Sequence, residues 1–406
     1  MSTRILIYGG SFNPPHLGHV RSVQVAAAAL KPDRIFLIPA ATPPHKLMAA
    51  GSPEGSHRFA MTELAAEDIP GCEVLDIELS RSGPSYTSDT LRELKEHYPE
   101  AELVFLVGTD MLLTLDTWRE PEVILSLASI AVFARKSASG DEIREKTREL
   151  EARFSARVYI LEGEPVEVSS TQIRELLPVR QGRELLPEGV YGYIIRHRLY
   201  GAKPDFDWLR ERAYAYLKPK RIPHVQGTEA EARRLARRWG VDEEDAAEAA
   251  ILHDMTKKLN HEEQLRLCEK CGIMTDTCER ANEKLLHAKT GAVLAVQDFG
   301  APEHVSRAIR WHTTGRPGMT DLERVIYLAD YIEPTRSGFS GLEELRKAAY
   351  EDLDGAMELA LRMSLVEVLG KGQEPHENTV MAHTYYEKAL KDKGAEPVPW
   401  DGEATD

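Results

Sequence analysis

The chain has no apolar run near the length of a bilayer span and no charged-then-apolar leader pattern at its start. A cytoplasmic protein without a membrane partner is therefore expected. Cysteine is scarce: four residues in 406 are too few for a disulfide framework. Cys268 and Cys271 form a CxxC with Cys278 nearby, but no second cysteine pair or suitably spaced histidine completes a zinc set. The stretch 262–271 reads as a helix carrying reduced thiols. Positive charge is in deficit, and a net charge of −15 argues against broad nucleic-acid binding. It leaves room for a local basic pocket that takes a small anionic nucleotide. Internal repeats and low-complexity tracts are also lacking. What remains is an ordinary globular composition, 42% hydrophobic and 29% charged, in a chain long enough for two or three domains.

The pattern changes near residues 200–206. Before that point strand-like segments (4–8, 34–39, 73–77, 103–107, 129–133 and 157–161) alternate with helix-like ones (20–30, 57–66, 88–97, 121–126 and 140–154). Such alternation predicts a doubly wound, Rossmann-like α/β unit with a parallel sheet covered on both faces. Beyond Gly201-Ala202-Lys203-Pro204 the strand signal vanishes, and apolar residues recur at three- and four-residue spacing from Phe206 to Leu369. The expected organisation is an α/β domain over 1–200, a linker over 201–205, an all-α domain over 206–393 and a loose tail over 394–406.

The most informative stretch of the first half is Gly9-Gly10-Ser11-Phe12-Asn13-Pro14-Pro15-His16-Leu17-Gly18-His19. It lies between an apolar strand and an alanine-rich helix, the place where a doubly wound sheet binds phosphates. Two histidines one helical turn apart can reach the same phosphate chain and stabilise charge as pyrophosphate leaves. Lys46 offers a mobile cation. Ser170 and Thr171, with the amides after them, read as a second anion site, and Arg174 adds a fixed charge.

These residues resemble the HxGH motif of the nucleotidylyltransferase superfamily. Pro43-Pro44-His45-Lys46, Ser85-Tyr86-Thr87, Gly108-Thr109-Asp110, Trp118, Arg135-Lys136 and Val168-Ser169-Ser170-Thr171-Gln172-Ile173-Arg174 narrow the resemblance to bacterial nicotinate-nucleotide adenylyltransferases over residues 1–200. The resemblance implies transfer of AMP from ATP, with its Mg2+, to nicotinate mononucleotide. It implies Gly9, Gly10, Ser11 and Phe12 at the nucleotide, and Gly108 and Asp110 at the adenosine side. Thr87 and Trp118 are implied at the nicotinate ring, and Arg135 near the mononucleotide. Because the attacking group is already a phosphate, positioning and charge neutralisation matter more than a general base.

In the second half, His224, His253, Asp254, His287, His312 and Asp330 each end an apolar helical stretch, which is how a helical bundle builds a metal centre. Asp254, beside His253, can bridge two ions. The order resembles the HD superfamily of metal-dependent phosphohydrolases. His312-Thr313-Thr314-Gly315-Arg316-Pro317-Gly318-Met319 and Leu328-Ala329-Asp330-Tyr331-Ile332-Glu333-Pro334-Thr335-Arg336 resemble its YqeK-type branch, over about residues 205–390. That branch implies symmetrical cleavage of diadenosine tetraphosphate to two ADP. It also implies two divalent transition metals, iron foremost. One ion would be held by His224, His253, Asp254 and Asp330, the other by His287, His312 and the shared Asp254. Lys257, Arg316 and Arg336 are read as cations for the polyphosphate, with solvated surface roles standing equally open.

Two other readings stay open at this point. The first half could adenylate another phosphate acceptor, such as nicotinamide mononucleotide or phosphopantetheine. The second could act on another nucleotide, or bind nucleotides without turning them over. Oligomeric state is not written in any recognisable patch.

Overall fold

The computed structural model describes residues 3–43, 48–134, 139–163 and 168–402. It divides into two compact units, Met1–Lys203 and Pro204–Asp406.

The first unit contains strands β1 (Arg4–Gly10), β2 (Arg34–Pro39), β3 (Cys72–Val74), β4 (Glu102–Val107), β5 (Ala128–Ala134) and β6 (Val158–Glu162). Its helices are α1 (Leu17–Leu30), α2 (Gly55–Ala66), α3 (Thr87–His97), α4 (Thr109–Thr114), α5 (Pro121–Leu127), α6 (Ser139–Phe154), α7 (Ser170–Leu176) and α8 (Glu188–His197). All strand pairs are parallel, in the order β3-β2-β1-β4-β5-β6. The expected doubly wound sheet is thus the observed one. Strand order reverses between β1 and β4, and ligands of such sheets bind outside the strand ends at that point. The inner strands read as unbroken apolar runs because both faces are covered: Ile5, Ile7, Phe36, Phe105, Ile130 and Val132 belong to one buried cluster.

β3 is shorter than the strand expected at 73–77. Leu75 still donates to Leu37 O at 3.0 Å, but the chain then turns, with Ser80 N donating to Asp76 O. An edge strand has one neighbour to hold it, so its apolar residues Leu75 and Ile77 leave the ladder and pack on the core instead. Helix α8 was not expected; its buried residues Val190, Tyr191, Ile194 and Ile195 follow the helical period.

The second unit is all helical: α9 (Phe206–Tyr214), α10 (Ile222–Trp239), α11 (Glu243–Leu252), α12 (His261–Lys270), α13 (Thr277–Ala281), α14 (Glu283–Phe299), α15 (Glu303–Trp311), α16 (Asp321–Ile332), α17 (Leu342–Glu351), α18 (Leu353–Gly370) and α19 (Glu377–Lys393). Helix α10 starts five residues before Gly227. Pro223 sits in its first turn, where a missing N–H costs nothing. Glycine occupies position 227 inside this helix because a Cβ there would lie 2.3 Å from Glu333 Oε2, a side chain that is fully buried. Helix α19, also unexpected, is capped by the His376 side chain.

The tail is not loose as far as residue 402. Arg362 donates to Val398 O at 2.7 Å, and Trp400 Nε1 donates to Ser340 Oγ at 3.2 Å. The Trp400 ring lies so close to Gly341 that a Cβ there would come within 2.6 Å. Proline and glycine removed the helical signal from this segment, but the indole finds an apolar seat. Among the described residues no helix is long and apolar enough to cross a membrane.

Candidate functional site

A cavity of about 870 Å³ opens at the β1–β4 reversal. Gly9, Gly10, Ser11, His16, His19, Thr87, Gly108, Asp110, Trp118, Ser170 and Thr171 all line it, so residues dispersed over the first unit meet at one place. His16 precedes α1 in an extended conformation, and His19 sits one turn into the helix. The two rings stack with centroids 3.6 Å apart. His19 Nδ1 accepts the backbone N–H of His16 at 3.1 Å, which leaves the ring proton on Nε2. Burial pushes His16 down to about 4. Burial, with His16 alongside, holds His19 well below the usual histidine range. Both rings are therefore neutral N–H donors at pH 7, which avoids stacking two cations.

The Phe12 ring is 1% exposed and packs edge-on against His19 and Tyr8, so the side chain is a floor for the histidine. Ser170 Oγ donates to Pro14 O at 2.9 Å, and Arg174 Nη1 donates to Asn13 O at 2.7 Å. Arg174 Nη2 reaches Thr171 Oγ1 at 3.0 Å. Ser170 and Arg174 thus clamp the start of α7 to the loop before α1. Gly108 caps α4, and a Cβ at this position would come within 2.8 Å of Asp110 Oδ1. Trp118 borders the cavity and also packs against the core cluster. Lys46 and Arg135 lie outside the described residues.

Arg58 is not among the expected site residues. The segment 57–66 is expected only as a helix, yet positions 58, 61, 62 and 65 form the buried stripe of α2, and an arginine in such a stripe is itself a signal.

In the second unit the six expected ligands converge. Asp254, fully buried, directs its two oxygens to different partners. Oδ2 lies 3.7 Å from His224 Nε2 and 3.4 Å from His253 Nε2. Oδ1 lies 3.3 Å from His287 Nε2 and 3.9 Å from His312 Nε2. Asp330 Oδ1 approaches His224 Nε2 at 2.8 Å and His253 Nε2 at 3.7 Å. His287 and His312 bring their Nε2 atoms within 3.1 Å of each other. Groups His224–His253–Asp330 and His253–Asp254–His312 each present ligand atoms close enough for one ion.

The opposite edges of these rings are held. His253 Nδ1 is 2.6 Å from Ala250 O, His312 Nδ1 is 2.6 Å from Ile309 O, and His224 Nδ1 is 3.0 Å from Glu333 Oε1. Such bonds put the proton on Nδ1 and aim a bare Nε2 inward. His253 Nε2 is buried with no hydrogen-bond partner and faces Asp254 Oδ2 at 3.4 Å, an arrangement that is costly unless a cation completes it. The donor set, imidazole plus carboxylate, fits divalent transition metals. Burial works against ionising Asp254, yet His253, His287 and Lys257 hold it well below the usual carboxylate range.

Lys257 Nζ lies 3.1 Å from Asp254 Oδ1, and Arg336 donates to Asp330 Oδ1 at 3.0 Å. Arg221, which was not singled out, donates to Asp254 Oδ2 at 2.5 Å. Arg316 is engaged elsewhere: its guanidinium donates to Glu323 Oε2 at 2.7 Å and to Pro317 O at 3.0 Å. A buried carboxylate counters its charge, so the contacts of Arg316 are those of a loop clamp.

A third group brings Asp276, Glu279 and His376 together. His376 is buried, its Nδ1 accepts Asn378 N–H at 3.1 Å, and its Nε2 faces Asp276 at 3.0 Å. Lys289 Nζ already sits 2.6 Å from Glu279. An ammonium in that position makes the group an ion-pair clasp between α13, α14 and α19. The four cysteines are free.

The cytidylyltransferase-like family matches residues 7–176, and the HD domain family matches residues 221–335. A probable nicotinate-nucleotide adenylyltransferase of Lachnoclostridium phytofermentans is 36% identical over 198 residues, covering 48% of this chain and 98% of the relative. One of the same description from Citrifermentans bemidjiense is 38% identical over 214 residues, with 48% and 98% covered. The crystal structure of a predicted HD superfamily hydrolase involved in NAD metabolism, from Clostridium acetobutylicum, is 39% identical. It covers 45% of this chain and 97% of its own, with a TM-score of 0.44. The chain therefore belongs, through its first half, to the nicotinate-nucleotide adenylyltransferase family, and carries an HD domain fused behind it.

Proposed function

We propose that the first unit transfers AMP from ATP to nicotinate mononucleotide, giving deamido-NAD and pyrophosphate. The observation that carries this reading is the stacked His16–His19 pair, neutral and proton-donating, at the strand-order reversal. The acceptor's phosphate oxygen attacks the α-phosphorus as the bond to pyrophosphate breaks; no proton needs to be removed from the nucleophile. His16 and His19 donate to phosphate oxygens, and the Gly9–Ser11 backbone and Ser170–Thr171 cradle the chain. Arg174 braces that cradle, and Lys46 adds charge. Gly108 and Asp110 take the adenosine side, Thr87 and Trp118 the pyridine, and Arg135 the mononucleotide. Magnesium arrives with ATP.

We infer that the second unit is a metal-dependent phosphohydrolase acting on a dinucleoside polyphosphate, with symmetrical cleavage of diadenosine tetraphosphate to two ADP as the leading reaction. The reading is supported by the divergent contacts of the two Asp254 oxygens. His224, His253, Asp254 and Asp330 would hold one ion, and His287, His312 and Asp254 the other, with iron expected. Such a pair, when bound, supplies an activated water at neutral pH and charge neutralisation for in-line attack. Lys257 and Arg336 counter remaining phosphate charge at the rim.

Purified protein supplied with nicotinate mononucleotide and ATP, and separately with diadenosine tetraphosphate with and without divalent ions, tests both readings by product analysis. Deamido-NAD and two ADP are expected. Preference for nicotinamide mononucleotide, or unequal nucleotide products, would overturn the respective assignment.

A further inference from the structure

Arg58 is 3% exposed on the inner face of α2. Its Nη1 donates to Ser11 O at 2.9 Å and to Ala40 O at 2.6 Å, and its Nη2 donates to Ala41 O at 3.2 Å. Nε is buried without a partner. Burial lowers its pKa, and the nearby Tyr200 phenol, itself pushed up by burial, is neutral and supplies no counter-charge. Among the described residues no carboxylate meets the guanidinium. Buried cations are ordinarily paired, because desolvation is expensive. Here three carbonyl dipoles substitute for a carboxylate, and a full positive charge is left beneath the loop.

The gripped carbonyls belong to the two strand ends that border the cavity. Ser11 follows β1, while Ala40 and Ala41 follow β2. In a trans peptide the next N–H points opposite to the carbonyl. Ala41 N–H accordingly donates to Ser85 Oγ at 3.0 Å, and Phe12 N–H is turned away from Arg58 in the same sense. Phe12 adopts φ +43°, a left-handed setting that a side chain of this size avoids. Such a turn persists only when its surroundings over-determine it. The Phe12 ring packing and the Arg58 fork do so together.

We propose that Arg58 is the positioning residue of the phosphate loop and the buried counter-charge of the ATP triphosphate. This rests on the adenylyltransferase reading. The fork sets the Ser11–Phe12 peptide, and the unneutralised charge is compensated when a polyphosphate enters.

Wild type, Arg58→Lys and Arg58→Met, each in the full chain, are titrated calorimetrically with ATP and with inorganic tripolyphosphate. KM for both substrates is measured alongside. Arg58→Met is expected to weaken ATP and tripolyphosphate at least tenfold while KM for nicotinate mononucleotide stays within twofold. Arg58→Lys, which keeps the charge and loses the fork, should recover most of the binding but little of kcat. The proposal falls if Arg58→Met binds ATP within twofold of wild type, or if both KM values rise together as in a merely loosened fold. Should Arg58→Met fail to fold, wild type against Arg58→Lys decides: equal kcat in the two sinks the positioning role. A wild type that binds ATP and transfers no adenylyl group removes the activity reading alone; one that binds neither probe removes both.

Discussion

The backbone N–H of His16 donates to the Nδ1 of His19 at 3.1 Å. One bond thereby caps α1, fixes the His19 tautomer and directs an Nε2–H to the cavity. His19→Ala should lower kcat for adenylyl transfer by ~100- to 1,000-fold, the usual cost of one preorganised donor. Lost capping should cost about 1 kcal/mol of stability. Steady-state kinetics and a denaturant titration of the same variant separate the two effects.

Trp118 borders the cavity that Thr87 and Arg119 also line. Trp118→Ala should raise KM for nicotinate mononucleotide by ~10-fold or more, as loss of one aromatic contact does, and leave KM for ATP nearly unchanged. Equal rises in both constants would place the ring in the core alone.

Asp254 is shared between the two proposed ions. Asp254→Asn should strip metal from both positions, and hydrolysis should fall by well over ~100-fold, beyond the range of outer-shell changes. Elemental analysis of the purified variant reads the metal directly. Retention of two equivalents would refute the bridging role.

Glu333 holds His224 by Nδ1 and is itself bonded by Thr335 N at 2.6 Å. Glu333→Gln should weaken metal affinity by ~10- to 100-fold without abolishing it. Competition with a chromogenic chelator measures this in the absence of substrate.

The clasp at α19 carries a pH signature. Glu279 raises the pKa of His376 against the burial that lowers it, with Asp276 assisting. Burial opposes ionisation of Glu279, but His376 and Lys289 pull it down to about 2. Protonation strengthens the ion pair of His376 with Glu279 and Asp276 but gives up the Nδ1 cap on Asn378 N–H. The ion-pair share is complete below about pH 6.5 and is lost as pH rises through the elevated folded value, where the neutral ring keeps only the cap. Ionised Glu279 contributes above about pH 4.5, and that share is lost as pH falls toward 2. The clasp should therefore be strongest between these limits. The gap in urea midpoint between wild type and His376→Gln is expected to be largest near pH 5.5 and to shrink by pH 8.5.

Much of the site was legible because its parts are local. Gly9 to His19 lie within one strand–turn–helix, where spacing alone sets both histidines on the same turn. The six candidate ligands of the second unit could be named because each adjoins an apolar helical stretch, although only His253, Asp254, His312 and Asp330 lie at helix ends, while His224 and His287 sit in the opening turns of α10 and α14. Arg58 and Glu333 escaped notice for the opposite reason. Each acts on a residue far along the chain, Ser11 in one case and His224 in the other, and no periodicity encodes such a pairing. Arg316, read equally as a polyphosphate cation or a surface residue, has its guanidinium on Glu323 of the next helix, a contact that helical periodicity does not encode.

The sequence by itself determined the class of each half, the strand–helix alternation and the chemical types available for catalysis. Those follow from short-range burial patterns, which any window of a dozen residues contains. Only the tertiary structure decided which oxygen of Asp254 faces which histidine, that Phe12 serves as a floor, and that residues 394–402 dock through Trp400. Those depend on side chains from separate elements competing for the same few ångströms, and packing settles that competition across the whole unit at once.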